Sequence, residues 1–385
     1  MRTWAEINLD AIEENYREIR KITDKSAKIM AVVKADAYGH GYLEVAKTLE
    51  NEGVDAFAVA LIEEGLQMRK SGFRQPILVL GAVPEEQYAS AIQNHISLTV
   101  FSYDVAEKLS RLACALGIDV NIHIKLDTGM SRIGYVVGDG HDEDVVDEIM
   151  RINALDGIVI EGIFSHFSTS DEKQRDYTLL QFKRFTDICD SLEKKGLKRC
   201  IRHIANSAAI MMYPEMHLDM VRPGIILYGL YPSDEVDRNV LRLKPAMTLK
   251  AKITHIKTLE RGRGVSYGKE YITDGCVRLA TIPIGYADGY VRAIAKEGRV
   301  LAGGEKVKIL GRICMDQCMI DVTNVNNINV GDEVVLFSDS GISADDVARW
   351  IGSINYEVLC LVSKRIPRIY MKGGEAVREL NFLKC

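Results

Sequence analysis

The chain has 385 residues, a net charge of −5 at neutral pH and a pI near 6.0, with 47% hydrophobic and 27% charged residues. That length holds two domains, or one barrel with an appendage. The acidic balance, with basic residues spread rather than clustered, excludes nucleic acid or an anionic membrane as the main partner.

Residues 3–9 alternate apolar and polar side chains and read as a strand. Apolar runs at 28–33, 55–60, 76–80, 96–101, 120–126, 158–164, 200–204 and 217–221 are predicted strands. Amphipathic stretches fall between most of them, as at 41–51, 62–70, 103–116 and 178–195. Strands alternating with helices imply parallel pairing with crossover connections. Eight such units predict a closed (β/α)8, TIM-like barrel over residues 10–240. A doubly wound open sheet is the alternative, weakened because no G-x-G-x-x-G follows the first strand.

Beyond residue 241 the texture changes to short β patterns at 246–259, 276–284, 307–313, 319–322 and 333–337. Glycine-rich turns at 261–264 and 302–304 separate them. One helix is predicted at 344–350, capped by Ser343. The expectation is a mainly β domain over 241–385, which residues 1–9 join as an extra strand. The charged tail after Arg368 fits no motif.

No run of roughly 18 apolar residues suggests a membrane span, and the N-terminus MRTWAEINLDAIEENY lacks the apolar core of an export signal. The eight cysteines are scattered, and Cys314 and Cys318 have no second pair or histidine at zinc-finger spacing. They read as reduced thiols of a cytoplasmic protein with no bound metal.

In a barrel, chemistry collects at the C-terminal ends of the strands, and the unusual polar residues of this chain fall there. Lys34 follows the first strand in KIMAVVKADAYGHG. Desolvation at such a tip disfavours the ammonium form, and a neutral amine can form a Schiff base with an aldehyde cofactor. A lone lysine there also reads as a surface residue ending a strand. The following Tyr38-Gly39-His40-Gly41 favours the site, because a phenol hydroxyl and close-approaching backbone suit a phosphate.

Lys125 and Arg132 lie in KLDTGMSRIG after strand five, and His166 in FSHFSTSDE after strand six. A buried lysine beside an arginine needs an anion between them, which carbamylation of Lys125 would supply. His203, Asn206 and Ser207 follow strand seven in HIANSAA, and Arg222 with Gly224 and Ile225 follows strand eight in RPGIILYG. Loops seven and eight are the usual phosphate corner of such barrels. Ser207 offers a hydroxyl there, and Gly224 and Ile225 offer backbone N–H groups. Ser207 reads equally as a helix cap, and His166 and His203 read equally as loop-holding histidines at the barrel rim.

Nine segments in order, AVVKADAYGHG, KLDTGMSRIG, SHFSTSDE, HIANSAA, RPGIILYG, GVSYG, IPIGYADG, GRICMDQ and NYEVLC, closely resemble those of the alanine racemases that depend on pyridoxal 5'-phosphate. The resemblance runs from Trp4 to about Arg368. It implies that Lys34 holds the cofactor as a Schiff base, with Tyr38, Asn206, Ser207, Gly224, Ile225 and Tyr356 around its phosphate. It further implies that Arg222 bonds the pyridine nitrogen, with His203 behind it. His166 would orient the second base, and Arg132 would bond the cofactor phenolic oxygen and the substrate carboxylate, oriented by a carbamylated Lys125. The family acts as a head-to-tail homodimer, so Tyr267, Met315 and Asp316 would enter from the partner chain, with Tyr290 at the entrance.

Racemisation needs a base on each face of the cofactor, and Lys34 and Tyr267 are the candidates. The expected reaction is interconversion of L- and D-alanine, supplying D-alanine for peptidoglycan. Two other readings stand beside it. A serine or broad-specificity racemase would share the site, because an apolar pocket rejects one added hydroxyl only weakly. A non-catalytic pyridoxal phosphate carrier would leave Tyr267 and CMDQ without purpose. A basic amino-acid decarboxylase would want an acid where Arg222 stands.

Overall fold

The computed structural model describes residues 1–384. Its first half is the expected barrel. Strands Lys28–Val32, Ala56–Val59, Ile77–Val79, Ser97–Val100, Val120–Asp127, Ile158–Phe164 and Ile201–His203 pair parallel in sequence order, and Met220–Val221 pairs parallel with Lys28–Val32. Between the seventh and eighth strands no strand ladder forms. Two backbone bonds draw that seam together: Asp219 N–H donates to Arg202 O at 3.1 Å, and Arg222 N–H to Ala205 O at 2.9 Å.

Strands Ala56–Val59, Ile77–Val79 and Ser97–Val100 are buried along their whole length, which is why AFAV and ILV read as unbroken apolar runs. Helix Leu9–Ile22 leads into the first barrel strand, and helices Tyr42–Asn51, Ile62–Lys70, Tyr103–Leu116, Asp142–Asn153 and Asp176–Lys194 lie between successive ones. Their ends follow local rules. Ser102 accepts from Val105 N–H at the start of Tyr103–Leu116, and Gly117 closes that helix at φ 66°.

The second half holds a seven-stranded sheet in the order Glu305–Lys308, Arg299–Ala302, Glu333–Phe337, Met247–Lys252, Thr3–Asn8, Arg368–Lys372 and Glu375–Leu380, a three-stranded antiparallel sheet of His255–Leu259, Val277–Ile282 and Cys318–Asp321, and a two-stranded pair, Gly264–Val265 with Tyr271–Ile272. Thr3–Asn8 pairs antiparallel with Met247–Lys252 and parallel with Arg368–Lys372. Asn8 then accepts Ala11 N–H at 3.0 Å, so the chain passes from the β sheet into the first barrel helix without a loop.

Three expectations are corrected. The single strand at 246–259 is two, because Ile253 N–H bonds Asp332 O while Thr254 N–H bonds Thr281 O, sending Met247–Lys252 and His255–Leu259 to different sheets. The strand at 307–313 is cut short by Gly311, whose positive φ of 68° turns the chain against Val265. The tail after Arg368 is a β-hairpin turning at Gly373 and Gly374. A second helix, Asn355–Leu361, follows the expected Ala344–Ile351. No helix among the described residues is long and apolar enough to cross a membrane.

Candidate active site

Lys34 opens an unusual turn. Ala35, Asp36, Ala37 and Tyr38 all have φ between 52° and 56°, one left-handed turn made of residues with side chains. L-residues resist that region by about 1 kcal/mol or more each, so the surroundings must hold it. Glu64 does so on one side, its carboxylate accepting Ala35 N–H at 2.7 Å and Ala60 N–H at 2.8 Å. Asp36 accepts Tyr42 N–H at 3.1 Å on the other. Gly39 sits at φ 82°, and a Cβ there would lie 2.4 Å from Leu359 O, so only glycine lets the helix Asn355–Leu361 approach. The buried Arg368 bonds the Gly39 carbonyl at 3.0 Å and those of Val362, Ser363 and Ile366, stitching the turn to the β domain.

That stitching sets the corner where Tyr38, Ser207 and Gly224 meet. Tyr38 is buried with its ring 4.8 Å from Tyr228 and 6.1 Å from Tyr356. A Cβ on Gly224 would fall 2.6 Å from the Tyr38 hydroxyl, and Gly224 N–H donates to Ser207 Oγ at 2.9 Å. Two hydroxyls and glycine backbone therefore meet at one point. The cap of the helix Ser207–Met212 is Asn206, which accepts Ala209 N–H at 3.0 Å, so capping does not occupy Ser207. Ile225 begins the short turn of helix that follows Gly224.

Arg222 is buried at the centre of the mouth. Its Nη1 donates to His203 Nδ1 at 2.7 Å, and its Nη2 to Ser165 O at 2.7 Å, to Ile204 O at 3.2 Å and to His166 Nδ1 at 3.3 Å. No carboxylate among the described residues is hydrogen-bonded to it, and it remains cationic at neutral pH. Both histidines are pushed well below their ordinary pKa, by burial first and by the Arg222 charge second.

Lys34 is lowered as well, by burial first and then by Arg132. Burial lowers Lys125 further, to about 7, with Arg222 the next cause. Lys125 donates to Leu126 O at 2.6 Å, and its ammonium lies 5.3 Å from the Phe164 ring centre. Arg132 is exposed at the end of a loop that Asp127 shapes by accepting Gly129 and Ser131 N–H, each at 3.0 Å. Lys34, Lys125, Arg132 and Arg222 act on one another's charge, so the mouth gathers four basic groups around a space suited to an anion.

Tyr267, Met315 and Asp316 are not at this mouth within one chain. Tyr267 is 69% and Met315 54% exposed on the β domain. They belong to adjacent loops, joined where Ser266 Oγ donates to Arg312 O at 2.6 Å. Asp316 pairs with Arg365 at 2.8 Å. Tyr290, expected at the entrance, is 3% exposed inside the β domain. Tyr286, which bonds the Cys314 carbonyl through its N–H and is 41% exposed, occupies the outward position instead. The repeated Tyr in GYADGY made the wrong one plausible: the close pass of Gly289 against Leu361 O turns the second Tyr inward.

Sequence reasoning missed Glu64, Arg368, Tyr228 and the pair His123 and Glu161. Tyr228, His123 and Glu161 are polar inside apolar runs, which is the signal that could have found them, whereas Glu64 and Arg368 stand in mixed, charged stretches that carry no such signal. His40 is buried and stacked 4.6 Å from Tyr228.

An eight-stranded barrel with a desolvated lysine and a buried guanidinium at its mouth, attached to a β domain, defines a two-domain barrel protein with a basic mouth suited to an anion. The chain belongs to the alanine racemase family. The family's N-terminal domain model matches residues 7–232 and its C-terminal domain model residues 246–370. Alanine racemase 1 of Clostridium acetobutylicum is 51% identical over 99% of this chain and 98% of its own length. The structure of alanine racemase from Clostridium difficile 630 superposes with a TM-score of 0.97 at 47% identity, covering 100% of this chain and 99% of that one. The Bacillus anthracis enzyme with bound L-Ala-P superposes at 0.93 with 36% identity, covering 100% and 98% of the two chains.

Proposed function

We propose that this protein interconverts L- and D-alanine with pyridoxal 5'-phosphate held on Lys34, and that two copies of the chain share each site. The observation that carries the reading is Arg222, a buried guanidinium at the barrel mouth that donates to two imidazole nitrogens and two backbone carbonyls and would suit a donor to the cofactor's ring nitrogen.

The residues suit that cofactor. Tyr38, Ser207, Gly224 and Ile225 offer hydroxyls and backbone N–H groups for a phosphate, with Asn206 holding the segment and Tyr356 closing its side. Lys34 has the lowered basicity an amine needs to join an aldehyde. When bound, the cofactor supplies an electron sink for the Cα carbanion. An arginine donating to the ring nitrogen leaves that nitrogen neutral and the sink weak, which restrains side reactions.

Lys34 serves one face and Tyr267 of the partner subunit the other, because one base cannot easily reach both. His166 orients that phenol and is itself fixed by Arg222. Arg132 binds the substrate carboxylate. Met315 and Asp316 of the partner subunit shape the pocket opposite it. The exposure of Tyr267 and Met315 in one chain supports a partner that covers them. Lys125, lowered to about 7, has the free amine that carbamylation requires. The biological role is D-alanine supply for peptidoglycan in the cytoplasm.

Incubating the purified protein separately with L-alanine and L-serine and following optical rotation tests the reading. Fast loss with alanine and slow loss with serine is expected. Faster serine turnover would make this a serine racemase, and a yellow but inactive protein would make it a cofactor carrier.

A further inference from the structure

A second, buried chain of polar groups runs from Arg222 down the inside of the barrel. His203 Nε2 lies 2.8 Å from His123 Nδ1, and His123 Nε2 lies 3.2 Å from Glu161 Oε2. Ser97 Oγ donates to the same carboxylate oxygen at 2.7 Å. His123 and His203 are buried, and Glu161 borders a cavity of about 40 Å³ at the opposite end of the barrel, shared with Lys28, Asp55 and Ser97.

The direction of every proton in this chain follows from one fact. A guanidinium has donors and no acceptor. His203 Nδ1, receiving Arg222, must therefore carry a lone pair, and its proton sits on Nε2. That N–H points at His123 Nδ1, which must accept, so the His123 proton sits on Nε2 and points at Glu161. The four side chains form one head-to-tail series ending on a carboxylate.

The backbone is shaped for it. Ile122 pairs with Ile160, but His123 pairs with Gly162, leaving Glu161 as an extra residue in a bulge of the sixth strand. Bulges re-aim side chains beside functional sites. A Cβ on Gly162 would lie 2.4 Å from His123 Nδ1, so glycine here makes the room that lets the imidazole face His203. The His203 ring also stacks at 5.0 Å on Phe164, which fixes its plane but not its tautomer.

We propose that His123 and Glu161 are positioning residues that lock His203 in its Nε2–H tautomer, so that Arg222 always finds an acceptor and presents its remaining donors to the ring nitrogen of the cofactor. The ring nitrogen rests on the function proposed above; the tautomer does not. Without the lock, His203 can carry its proton on Nδ1, donor would meet donor, and Arg222 would turn away. The charged groups facing the series are Lys28 and Asp55 at its lower end and Lys125 beside His203.

The test is long-range nitrogen–proton NMR on the cofactor-loaded protein with labelled histidine imidazoles, joined to its visible spectrum and steady-state kinetics. In the parent, His203 Nδ1 is expected unprotonated between pH 6 and 9. His123→Leu and Glu161→Leu are expected to mix the His203 tautomers and to make the cofactor absorption band pH-dependent. They should also lower kcat by about tenfold at little changed KM. Glu161→Gln keeps an oxygen acceptor and should restore all three. A protonated His203 Nδ1 in the parent overturns the proposal even if no variant folds. So do folded leucine variants with parental tautomer and band. A correct tautomer in a protein that racemises nothing would instead sink the function and leave the lock standing.

Discussion

Arg222 Nη1 and His203 Nδ1 stand 2.7 Å apart and link the barrel mouth to its interior. Arg222 Nη2 donates to Ser165 O, Ile204 O and His166 Nδ1. A lysine would bring one point charge on a flexible stem and could not reach these acceptors together. Arg222→Lys is therefore expected to lower kcat by about ten- to a hundredfold while the protein stays yellow. Pyruvate formed per racemisation event should rise, because a lysine ammonium is a stronger acid than a guanidinium and could pass a proton to the ring nitrogen, strengthening the sink. Coupled assays for pyruvate and optical rotation on one sample measure both. An unchanged ratio would refute the ring-nitrogen assignment.

Tyr267 lies far out on the β domain and is 69% exposed in one chain, so its removal should cost no fold stability. Tyr267→Phe should keep the cofactor spectrum and the melting temperature and lose racemisation by at least about a hundredfold, the usual worth of a positioned base. In D₂O the variant should still exchange the Cα proton of one alanine enantiomer, on the face that Lys34 serves. Parental racemisation by this variant would end the two-base reading.

Lys125 yields a pH prediction. Burial and Arg222 lower its folded pKa to about 7, below the ordinary lysine value, so the unfolded chain binds the extra proton between about 7 and 10.5. Stability therefore gains from this group as pH rises through that window, and the full penalty of the buried ammonium applies below it. The same sign governs carbamylation, since only the free amine attacks carbon dioxide. Activity should fall as pH drops below about 7 and in buffers stripped of carbon dioxide. Lys125→Ala should lose the response to carbon dioxide and regain part of its activity in acetate. A Lys125→Ala variant that matches the parent in both buffers would show that the lysine needs no anion.

The barrel was legible because most of its strands are covered on both faces, so each apolar run marks a strand whatever the loops do. Lys34, Lys125, His166, His203 and Arg222 were picked out for a related reason: each stands at the C-terminal end of such a run, although a lone lysine also reads as a surface residue there and the two histidines as rim residues holding loops. The β domain was harder. Its strands change partners within one run, as at Ile253 and Thr254, and period alone does not record which sheet a residue joins. The left-handed turn at Ala35–Tyr38 was out of reach, since none of its four residues is glycine and only tertiary contacts hold it there. His123 and Glu161 were visible as polar residues inside strands, but the bulge that joins them is a matter of register, which no single strand reveals.

Gly39 gives the sharpest test of how the two halves cooperate. It stands at φ 82° with Leu359 O where a Cβ would go, and its own carbonyl is held by Arg368. Gly39→Ala faces backbone strain and a collision with a carbonyl that cannot swing aside as a flexible side chain would. The expected loss is about 2–3 kcal/mol of stability. The damage should not stay local. The helix Asn355–Leu361 would be pushed from the turn, carrying Tyr356 away from Tyr38 and opening the corner built on Ser207 and Gly224. Phosphate-corner contacts should weaken before the lysine does, so pyridoxal phosphate should dissociate faster on dialysis, while pyridoxal lacking the phosphate should bind as weakly to the variant as to the parent. If Gly39→Ala lowers the melting temperature and leaves cofactor retention unchanged, the turn supports the fold alone and the approach of the β-domain helix does not build the phosphate site.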